Sequence, residues 1–537
     1  MILAAVAALG VLAGNRSERQ LKAIAARQLE GVATRGGSGL QLKKIYENGV
    51  LAVIGDTTAG FAVVSRDEAQ QPVLAVSRAA FSQTEAPEAF RWWLGEMTRR
   101  LETGVPIRTR SMTAVENFVK TQWAQGDPFN GLCPKDGVTR CPTGCVATAM
   151  AQVMKYYEYP AAGRGSGSYT IGSKRREYST LVNSTYDWNN MRLTYNSGGS
   201  VGTNQKKAVQ QLMYDAGCSV GMNYAADGSG AFTRDAATAM FRNFSYDSLA
   251  IRYMLRDFYS DEDWSAAIYD QLAQKRPILY GGVDSQDKIG HAFLLTGNDE
   301  DGKVWVNWGW GQGTADESYN GFFEISDLVM AKTYHFDSGH EMVFGFRPQL
   351  KPDSQDEYSS QWVFEEPYRL ECLDDGRLLF AIPHFFNYHV LYFQGNLWYS
   401  FRSTVGNNTV KIGLMNLEKD VVPPDYGYSA GEGEEFITDT IALRSLPVGT
   451  YEFTIGSQAR GEKSVTPFLT YGGPQYVTLT KAADGTVTVD GQTTAVGTVR
   501  RQPETGDGKT YDLWGRQSSG APSPGVYIRN GRKFMQK

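Results

Sequence analysis

The sequence has few cysteines and histidines. Only five cysteines and five histidines occur among its 537 residues, and no group of them has the spacing of a zinc site. The net charge is −5, which excludes the strongly basic surface of a protein that binds nucleic acid or an anionic membrane. We therefore expect no metal site and no nucleic-acid partner.

Long hydrophobic runs are also missing. The alanine-rich stretch Met1–Gly14 is too short to span a bilayer and resembles the hydrophobic region of a secretory signal, although no Lys or Arg precedes it. Either the natural start lies upstream or the signal is degenerate. No other run approaches ~18 apolar residues. We predict a signal peptide over residues 1–14 and an exported protein without a stable membrane span.

The odd number of cysteines leaves at least one thiol free. Cys133 and Cys141 are near enough in the sequence to close a small loop by a disulfide, and the alternative is that all five thiols are unpaired. Cys218 lies in a segment without neighbouring polar clusters and is interpreted as a packing residue.

Cys145 stands at the start of a predicted helix. Apolar residues recur at i, i+3, i+4 and i+7 from Val146 to Tyr157, which indicates one buried stripe, and Pro160 ends the pattern. A thiol in the first turn feels the positive end of the helix dipole, which favours the nucleophilic thiolate. Packing is the competing interpretation, because free cysteines are commonly buried. The helix pattern alone does not decide between a catalytic and a packing role for Cys145.

A hairpin supplies the second group of reactive side chains. Gly290–Thr296 and Lys303–Trp308 have strong β character and are joined by a turn sequence. A turn centred near residue 299 or 300 predicts that His291 and Asn307 lie opposite each other on the same face. The Asn307 amide would then orient the imidazole as a base, and Trp308 would shield their hydrogen bond from water.

Catalysis of acyl transfer also needs donors for the oxyanion. A backbone N–H at the start of the Cys145 helix can supply one, and a side-chain amide can supply the second. Gln125 is the amide that we select, with Gln122 and Gln152 as alternatives that spacing does not exclude. The segments Ala225–Phe232 and 281–290 are candidates for loops that border a substrate cleft.

The central region resembles the streptopain family of secreted bacterial cysteine peptidases, which have a papain-like fold. The matching segments occur in the family's order: Trp123–Asn130, Thr143–Tyr157, Tyr186–Asn190, Gly290–Phe293 and Val306–Gly311. The resemblance implies that Cys145 is the nucleophile, His291 the general base and Asn307 its orienting partner. It also supports Gln125 as the oxyanion donor and Trp308 as the shield.

Outside the central region the resemblance is weaker. The segment Gly60–Asp67 with Pro72–Ser77 resembles strands of the family's inhibitory pro-segment. The C-terminal end, with Tyr511–Arg516 and Gly525–Lys533, is similar to the sorting tails of Bacteroidetes-type secreted proteins. Residues 351–537 have no counterpart in streptopain and resemble parts of larger homologues from oral or gut anaerobes.

These observations predict an α+β fold with five segments. The core is a papain-like peptidase with a helical half and a β-barrel-like half, preceded by an α+β pro-segment and followed by a β-sandwich region. The predicted boundaries are a signal peptide at 1–14, a pro-segment at 15–111, a catalytic domain at 112–350, a β-sandwich region at 351–500 and a sorting tail at 501–537. Basic residues at 99–100 and 107–110 offer processing sites in the connector.

The predicted function is that of a secreted cysteine endopeptidase made as a zymogen, acting through a Cys–His–Asn acyl-enzyme mechanism. This mechanism requires no cofactor. Its expected partners are protein or peptide substrates, host proteins among them, and its own pro-segment as an intramolecular inhibitor. One alternative is an adhesin or haemagglutinin-type protein that binds through the C-terminal β region. Another keeps the same three residues but transfers acyl groups to amines, as transglutaminase-like enzymes do.

Overall fold

The structure is a computed structural model that describes most of the chain. The described residues are 15–30, 40–56, 59–68, 70, 72–77, 94, 97–98, 101–102, 112–178, 184–195, 200–284, 290–310, 320–324, 328–330, 334–349, 358–373, 376–406, 408–430, 436–490, 510–512, 525–529 and 532–536. The predicted signal peptide and the basic residues of the connector lie outside them.

The helices within the described residues belong to the N-terminal and central parts of the chain. They are α1 (Glu18–Gln28), α2 (Cys145–Tyr157), α3 (Thr203–Ser219), α4 (Thr233–Arg242) and α5 (Asp261–Ala273). Two short 3-10 helices cover Trp188–Asn190 and Arg256–Phe258. The helix predicted to begin near Cys145 and to end before Pro160 is therefore confirmed.

The N-terminal unit is an antiparallel meander with one helix. Its strands are β1 (Lys43–Glu47), β2 (Leu51–Gly55), β3 (Phe61–Ser65) and β4 (Val73–Ser77). Strands β2 and β3 are buried throughout, since α1 packs on one of their faces and apolar side chains that include Leu94, Met97 and Leu101 pack on the other. The segments Gly60–Asp67 and Pro72–Ser77, which resemble strands of the family's pro-segment, contain β3 and β4.

The central unit contains a second set of strands. These are β5 (Lys135–Asp136), β6 (Thr139–Arg140), β7 (Gly167–Ile171), β8 (Lys174–Tyr178), β9 (Asn223–Tyr224), β10 (Arg252–Leu255), β11 (Ile278–Asp284), β12 (Gly290–Asn298), β13 (Val304–Asn307), β14 (Gly321–Phe323), β15 (Leu328–Met330) and β16 (Tyr334–Phe344).

One antiparallel sheet joins the N-terminal and central units. Its order is β1-β2-β3-β4-β14-β13-β12-β11-β16-β10, with β15 paired to β16. The junction is the pairing of Val76 with Phe322. Side chains on β12 alternate between two cores: Ala292 and Leu294 face the helical core that contains α2, whereas Phe293 and Leu295 face a core that contains α5. The nucleophile helix and the hairpin are thereby held against each other.

The C-terminal unit is built of strands. They are β17 (Trp362–Phe364), β18 (Arg369–Cys372), β19 (Arg377–Ile382), β20 (Phe385–Asn387), β21 (Phe393–Ser403), β22 (Thr409–Val422), β23 (Gly427–Tyr428), β24 (Ile437–Ala442), β25 (Gly449–Ala459), β26 (Thr466–Pro467), β27 (Leu469–Thr470), β28 (Gly473–Pro474), β29 (Val477–Lys481) and β30 (Val487–Asp490). They surround an aromatic-rich core of their own, with Trp362, Phe453 and Phe468 at its centre.

The overall α+β class is confirmed, with a helical half and a sheet half in the centre and a β region after it. Near the C-terminus, β31 (Thr510–Asp512), β32 (Gly525–Arg529) and β33 (Arg532–Gln536) form a small antiparallel sheet. Among the helices of the described residues, none combines the length and the hydropathy that crossing a membrane requires.

Candidate active site

Cys145 is the first residue of α2, and the residue before it fixes how the chain enters the helix. Gly144 has φ +86°, in the left-handed region that favours glycine. A Cβ at this position would lie 2.6 Å from the Sδ atom of Met222 and 3.1 Å from the carbonyl oxygen of Ser229. Glycine therefore lets the chain approach these neighbours closely while the Cys145 side chain stays half-buried beside them.

The Cys145 sulfur lies where the two halves of the central unit meet. It interacts with the backbone N–H groups of Cys145 and Val146 on α2 and with that of Ala292 on β12. Burial nevertheless raises the pKa of the Cys145 thiol above its ordinary value, and the three N–H groups only oppose this effect. The N–H groups at the helix start thus act in the predicted direction, towards the thiolate, but desolvation outweighs them and the net shift is upward.

His291, the residue before Ala292, is buried and held by a backbone carbonyl. Its Nε2 atom lies 2.8 Å from the carbonyl oxygen of Trp308, so we assign the proton of the neutral ring to Nε2. The Nδ1 atom is then the nitrogen that can accept a proton. Burial lowers the pKa of His291 to about 4, and the hydrogen bond to Trp308 opposes the shift. The imidazole is neutral at pH 7.

The predicted hairpin register is wrong by three residues. Leu294, and not His291, lies opposite Asn307, and Leu295 pairs with Val306. The difference arises in the turn, where the N–H of Asp299 donates to the carbonyl of Lys303 and Asn298 pairs with Val304, so that the turn is centred on residue 301 and not on residue 299 or 300. A bulge between Leu295 and Asn298 then adds a residue to β12 and shifts the partners beyond it by one.

Asn307 supports the loop that carries Trp308. Its Nδ2 atom donates to the Thr121 carbonyl at 2.8 Å and to Oε1 of Gln152 at 3.0 Å, while its Oδ1 atom accepts from the Gly309 N–H at 3.1 Å. Among the described hydrogen bonds, the amide therefore has none to His291. The predicted direct contact between them is wrong, and the two residues are linked through the segment of Trp308, whose carbonyl contacts His291.

Two tryptophans flank His291. Trp308 is buried and packs its ring on Phe293 with centroids 4.7 Å apart, and its carbonyl contacts His291. The hydrogen bond between His291 and Asn307 that it was predicted to shield is not formed. Trp310, which the sequence analysis did not select, places its indole Nε1 3.0 Å from Nε2 of His291. An indole N–H only donates, so this contact is an alternative to the Trp308 bond, available when Nε2 has no proton. In the sequence, the short spacing of Trp308 and Trp310 was the signal that could have indicated the contact between Trp310 and His291.

The glutamines considered as oxyanion donors occupy different places. The carbonyl of Gln125 accepts from the N–H of Thr143 at 2.9 Å, which puts this residue beside the segment entering α2, and its side chain is half-buried. Oε1 of Gln152 instead accepts from Thr121 and Asn307 inside the core. The backbone of Gln125 is thus bonded to the segment that enters α2, whereas Gln152 links α2 to the segment whose carbonyl contacts His291.

The remaining cysteines do not compete with Cys145. Cys133 and Cys141 are both buried free thiols, so the disulfide considered between them is absent. Burial raises the pKa of the Cys133 thiol to about 12 and raises that of Cys141 as well. Cys218 is buried and its pKa is also raised by burial, in agreement with a packing role.

Replacing Asn307 by alanine is expected to lower kcat/KM by roughly 10- to 100-fold, well short of the ~10⁴-fold loss seen when a directly contacting triad partner is altered. The Trp308 carbonyl remains but is held less well, and the unpaired groups at Thr121 and Gly309 cost about 1–3 kcal/mol of stability. Proteolysis rates and thermal unfolding measure both effects.

Asn298→Ala is the matched control, because Asn298 is equally buried in the same hairpin and its amide donates to the carbonyls of Thr113 and Asp299. It should lose similar stability while kcat/KM stays near the wild-type value. Equal loss of activity in both variants would show that Asn307 matters only for folding.

Comparison with known proteins gives consistent matches. Residues 123–322 match the model of the Peptidase C10 family. The chain is 29% identical over 326 residues to streptopain of Streptococcus pyogenes, covering 55% of this chain and 79% of the relative. It is 30% identical over 315 residues to the thiol protease/hemagglutinin PrtT of Porphyromonas gingivalis, covering 54% of this chain and 36% of that protein.

Among solved structures, a prointerpain A fragment of Prevotella intermedia is similar. The two chains are 32% identical with a TM-score of 0.47, and the match covers 57% of this chain and 98% of the fragment. Active interpain A of the same organism matches at 32% identity with a TM-score of 0.39, over 43% of this chain and 94% of that one.

Proposed function

The chain is a cysteine-type endopeptidase that belongs, through residues 123–322, to the Peptidase C10 family, and from this premise we propose that it is a secreted zymogen with Cys145 as nucleophile and His291 as general base. The observation that carries the proposal is the meeting of α2 and β12. The Cys145 sulfur touches the N–H of Ala292, and the neighbouring His291 is fixed through Nε2 by the Trp308 carbonyl.

The chemistry follows from these positions. Nδ1 of His291 takes the thiol proton, and the Cys145 sulfur attacks the carbonyl carbon of the scissile peptide bond. The imidazolium then returns the proton to the leaving amine, which leaves an acyl-enzyme, and the neutral ring activates a water that hydrolyses it. The Trp308 carbonyl keeps the ring in the tautomer that this sequence needs.

The oxyanion requires donors on the side of α2. The backbone N–H of Cys145 belongs to the first turn, where helix N–H groups have no partner within the helix. We assign the second donor to the side-chain amide of Gln125, whose backbone is bonded to Thr143 two residues before the nucleophile. Two donors of this kind stabilise the developing charge of the tetrahedral intermediate.

The N-terminal unit is well placed to serve as the pro-segment. Strand β4 adds the whole meander to the edge of the catalytic sheet at β14. The chain after the connector is bonded to the hairpin, since the N–H of Met112 donates to Glu300, and Val115 forms a bridge with Asn298. A cut before Met112 would release residues 15–111 and leave the following segment attached to the catalytic unit.

The uncharged state of the catalytic pair also fits a latent precursor. Burial raises the pKa of Cys145 and lowers that of His291, so the thiolate–imidazolium pair is disfavoured while the N-terminal unit is in place. We propose that the substrates are proteins, host proteins among them. We also propose export through Met1–Gly14 and retention or sorting through residues 501–537, both on the sequence alone.

Alkylation of Cys145 with iodoacetamide is expected to abolish proteolysis in step with its modification. In the uncut chain its rate should rise about tenfold per pH unit between pH 6 and 9 without a plateau, because the rate follows the thiolate fraction and the thiol pKa lies above its ordinary value. Peptide mapping of the uncut band, with Cys372 as an internal reference, measures the site and the rate.

Two outcomes would contradict the proposal in different ways. Proteolysis that survives complete modification of Cys145 would remove it as the nucleophile. An alkylation rate that has already reached its plateau near pH 6 would be compatible with Cys145 as the nucleophile, but it would show that the thiol is already ionised in the uncut chain.

A further inference from the structure

The C-terminal unit is packed into the helical core of the peptidase. Val363 and Tyr388 from the C-terminal unit belong to the same buried cluster as α2. The Tyr388 ring lies 5.2 Å from Phe258 and 5.4 Å from Tyr253, centroid to centroid. Nε2 of Gln361 donates to the Tyr253 carbonyl at 3.1 Å. Part of the C-terminal unit is therefore buried in the same core as α2, beside the separate aromatic core of that unit.

Arg234, the second residue of α4, is the charged group at this interface. Its guanidinium forms an ion pair with Asp425 and donates to the carbonyl oxygens of Tyr388 and His389 at 2.9 and 3.0 Å. It also lies over the rings of Tyr253 and Tyr388, 5.5 and 5.7 Å from their centroids. All three hydrogen-bond acceptors belong to the C-terminal unit, so Arg234 is positioned by that unit.

The segment before Arg234 connects the two sides of the active site. We name residues Ala225–Phe232 the cleft loop. On the nucleophile side, the Ser229 carbonyl lies 3.1 Å from the Cβ position of Gly144, and Gly230 exchanges two backbone hydrogen bonds with Asn223.

On the base side, Thr233 follows the cleft loop directly. Its Oγ1 atom lies 2.9 Å from the Cβ position of Gly281, and Gly281 pairs with Ala292, the residue after His291. Arg234 comes next in the chain. The contacts that fix Arg234 therefore also fix the end of the cleft loop.

We propose that the C-terminal unit acts as a positioning element for substrate binding, holding the cleft loop in place through Arg234. The inference rests on the proposed function of Cys145 and His291 but involves neither residue. Arg234 touches no reacting atom and is a positioning residue. The C-terminal unit would then determine how well the mature enzyme binds substrate, while the catalytic pair determines how fast the bound substrate reacts.

The test compares KM and kcat of the mature enzyme on a peptide substrate. Arg234→Ala should raise KM roughly five- to tenfold, the range of a moderate coupling between sites, with kcat within about twofold of wild type. Asp425→Asn removes the partner charge from the C-terminal unit alone and should raise KM in the same direction. Asp425 has φ +65°, which asparagine also tolerates, so its backbone is not strained by the change.

Controls separate positioning from folding. Arg242→Ala changes an exposed arginine on the same helix and should leave both constants unchanged. Arg234→Lys keeps the positive charge, so its KM should lie between those of wild type and Arg234→Ala. The double variant of Arg234→Ala and Asp425→Asn should be less than additive, because both remove one interaction. Thermal unfolding shows whether each variant is folded at the assay temperature.

An unchanged KM in folded Arg234→Ala would overturn the inference. A KM effect in Arg234→Ala that Asp425→Asn does not share would overturn it as well, since the effect would then be local to α4. Wild type and Cys145→Ala are assayed in parallel. An inactive wild type, or an active Cys145→Ala, would contradict the proposed function instead, and the two failures are thus distinguishable.

Discussion

Replacing Cys145 by alanine is expected to abolish proteolysis, with a fall in kcat on the order of 10⁶-fold, as for removal of other catalytic nucleophiles. We expect no other described cysteine to take over, because Cys133, Cys141 and Cys218 are buried, whereas Cys145 is half-buried and lies against β12 beside His291, and Cys372 lies on β18 in the C-terminal unit. The uncut variant should stay full length with reductant present, while wild type loses its N-terminal unit. Casein digestion and gel analysis over time measure both.

The variant must also be shown to fold. Added mature wild-type enzyme should cut it in trans before Met112, because the connector is a substrate whether or not Cys145 is present. Cys372→Ala is the matched control, since Cys372 is half-buried and should be dispensable. Casein digestion by Cys145→Ala at the wild-type rate would contradict the nucleophile assignment. Full-length wild type that never shortens would point to a separate activating protease.

Local patterns predicted the elements well where one face of an element is buried. The stripe from Val146 to Tyr157 predicted α2 to within a residue, because helix periodicity and the nearby Pro160 agree. Strand β19 (Arg377–Ile382) has an equally local basis, because its burial alternates along its length. Each of these signals is contained within a dozen residues.

The contacts of His291 depended on information that is not local. Strand pairing between β12 and β13 was foreseen, yet its register is set by the turn around Asp299 and by the bulge before Asn298. A slip of one residue turns every side chain to the other face, and neither the bulge nor the hydrogen bonds within the turn can be read from residue types. The sequence therefore placed Asn307 correctly on the strand that pairs with β12, but the predicted hydrogen bond to His291 is wrong.

The pKa of Cys145 shows a second limit. A helix start favours the thiolate, and the sequence places Cys145 there. How deeply the thiol is buried depends on the fold, which brings Ala292 against the sulfur and Met222 and Ser229 against the neighbouring Gly144. Desolvation and the helix dipole act in opposite directions, so the sign of the pKa shift becomes known only when the burial is known.

Replacing His291 by alanine is the second change with a large expected effect, a loss in kcat/KM on the order of 10⁴-fold. Without the imidazole nothing accepts the thiol proton or returns one to the leaving amine. The residual rate should rise with pH, because it then depends on direct ionisation of the thiol. Wild type should not show this rise to the same extent, because its imidazole takes the thiol proton.

His384→Ala is the matched control, because His384 lies in the C-terminal unit, partly exposed, and pairs with Glu365. It should keep wild-type kcat/KM and the wild-type pH profile. In the doubly substituted protein with Cys145→Ala, loss of His291 should add almost nothing, since the two groups act as one unit. A His291→Ala enzyme with wild-type activity at pH 7 would show that another group moves the proton, and Trp308 and Asn307 would then have no base to position.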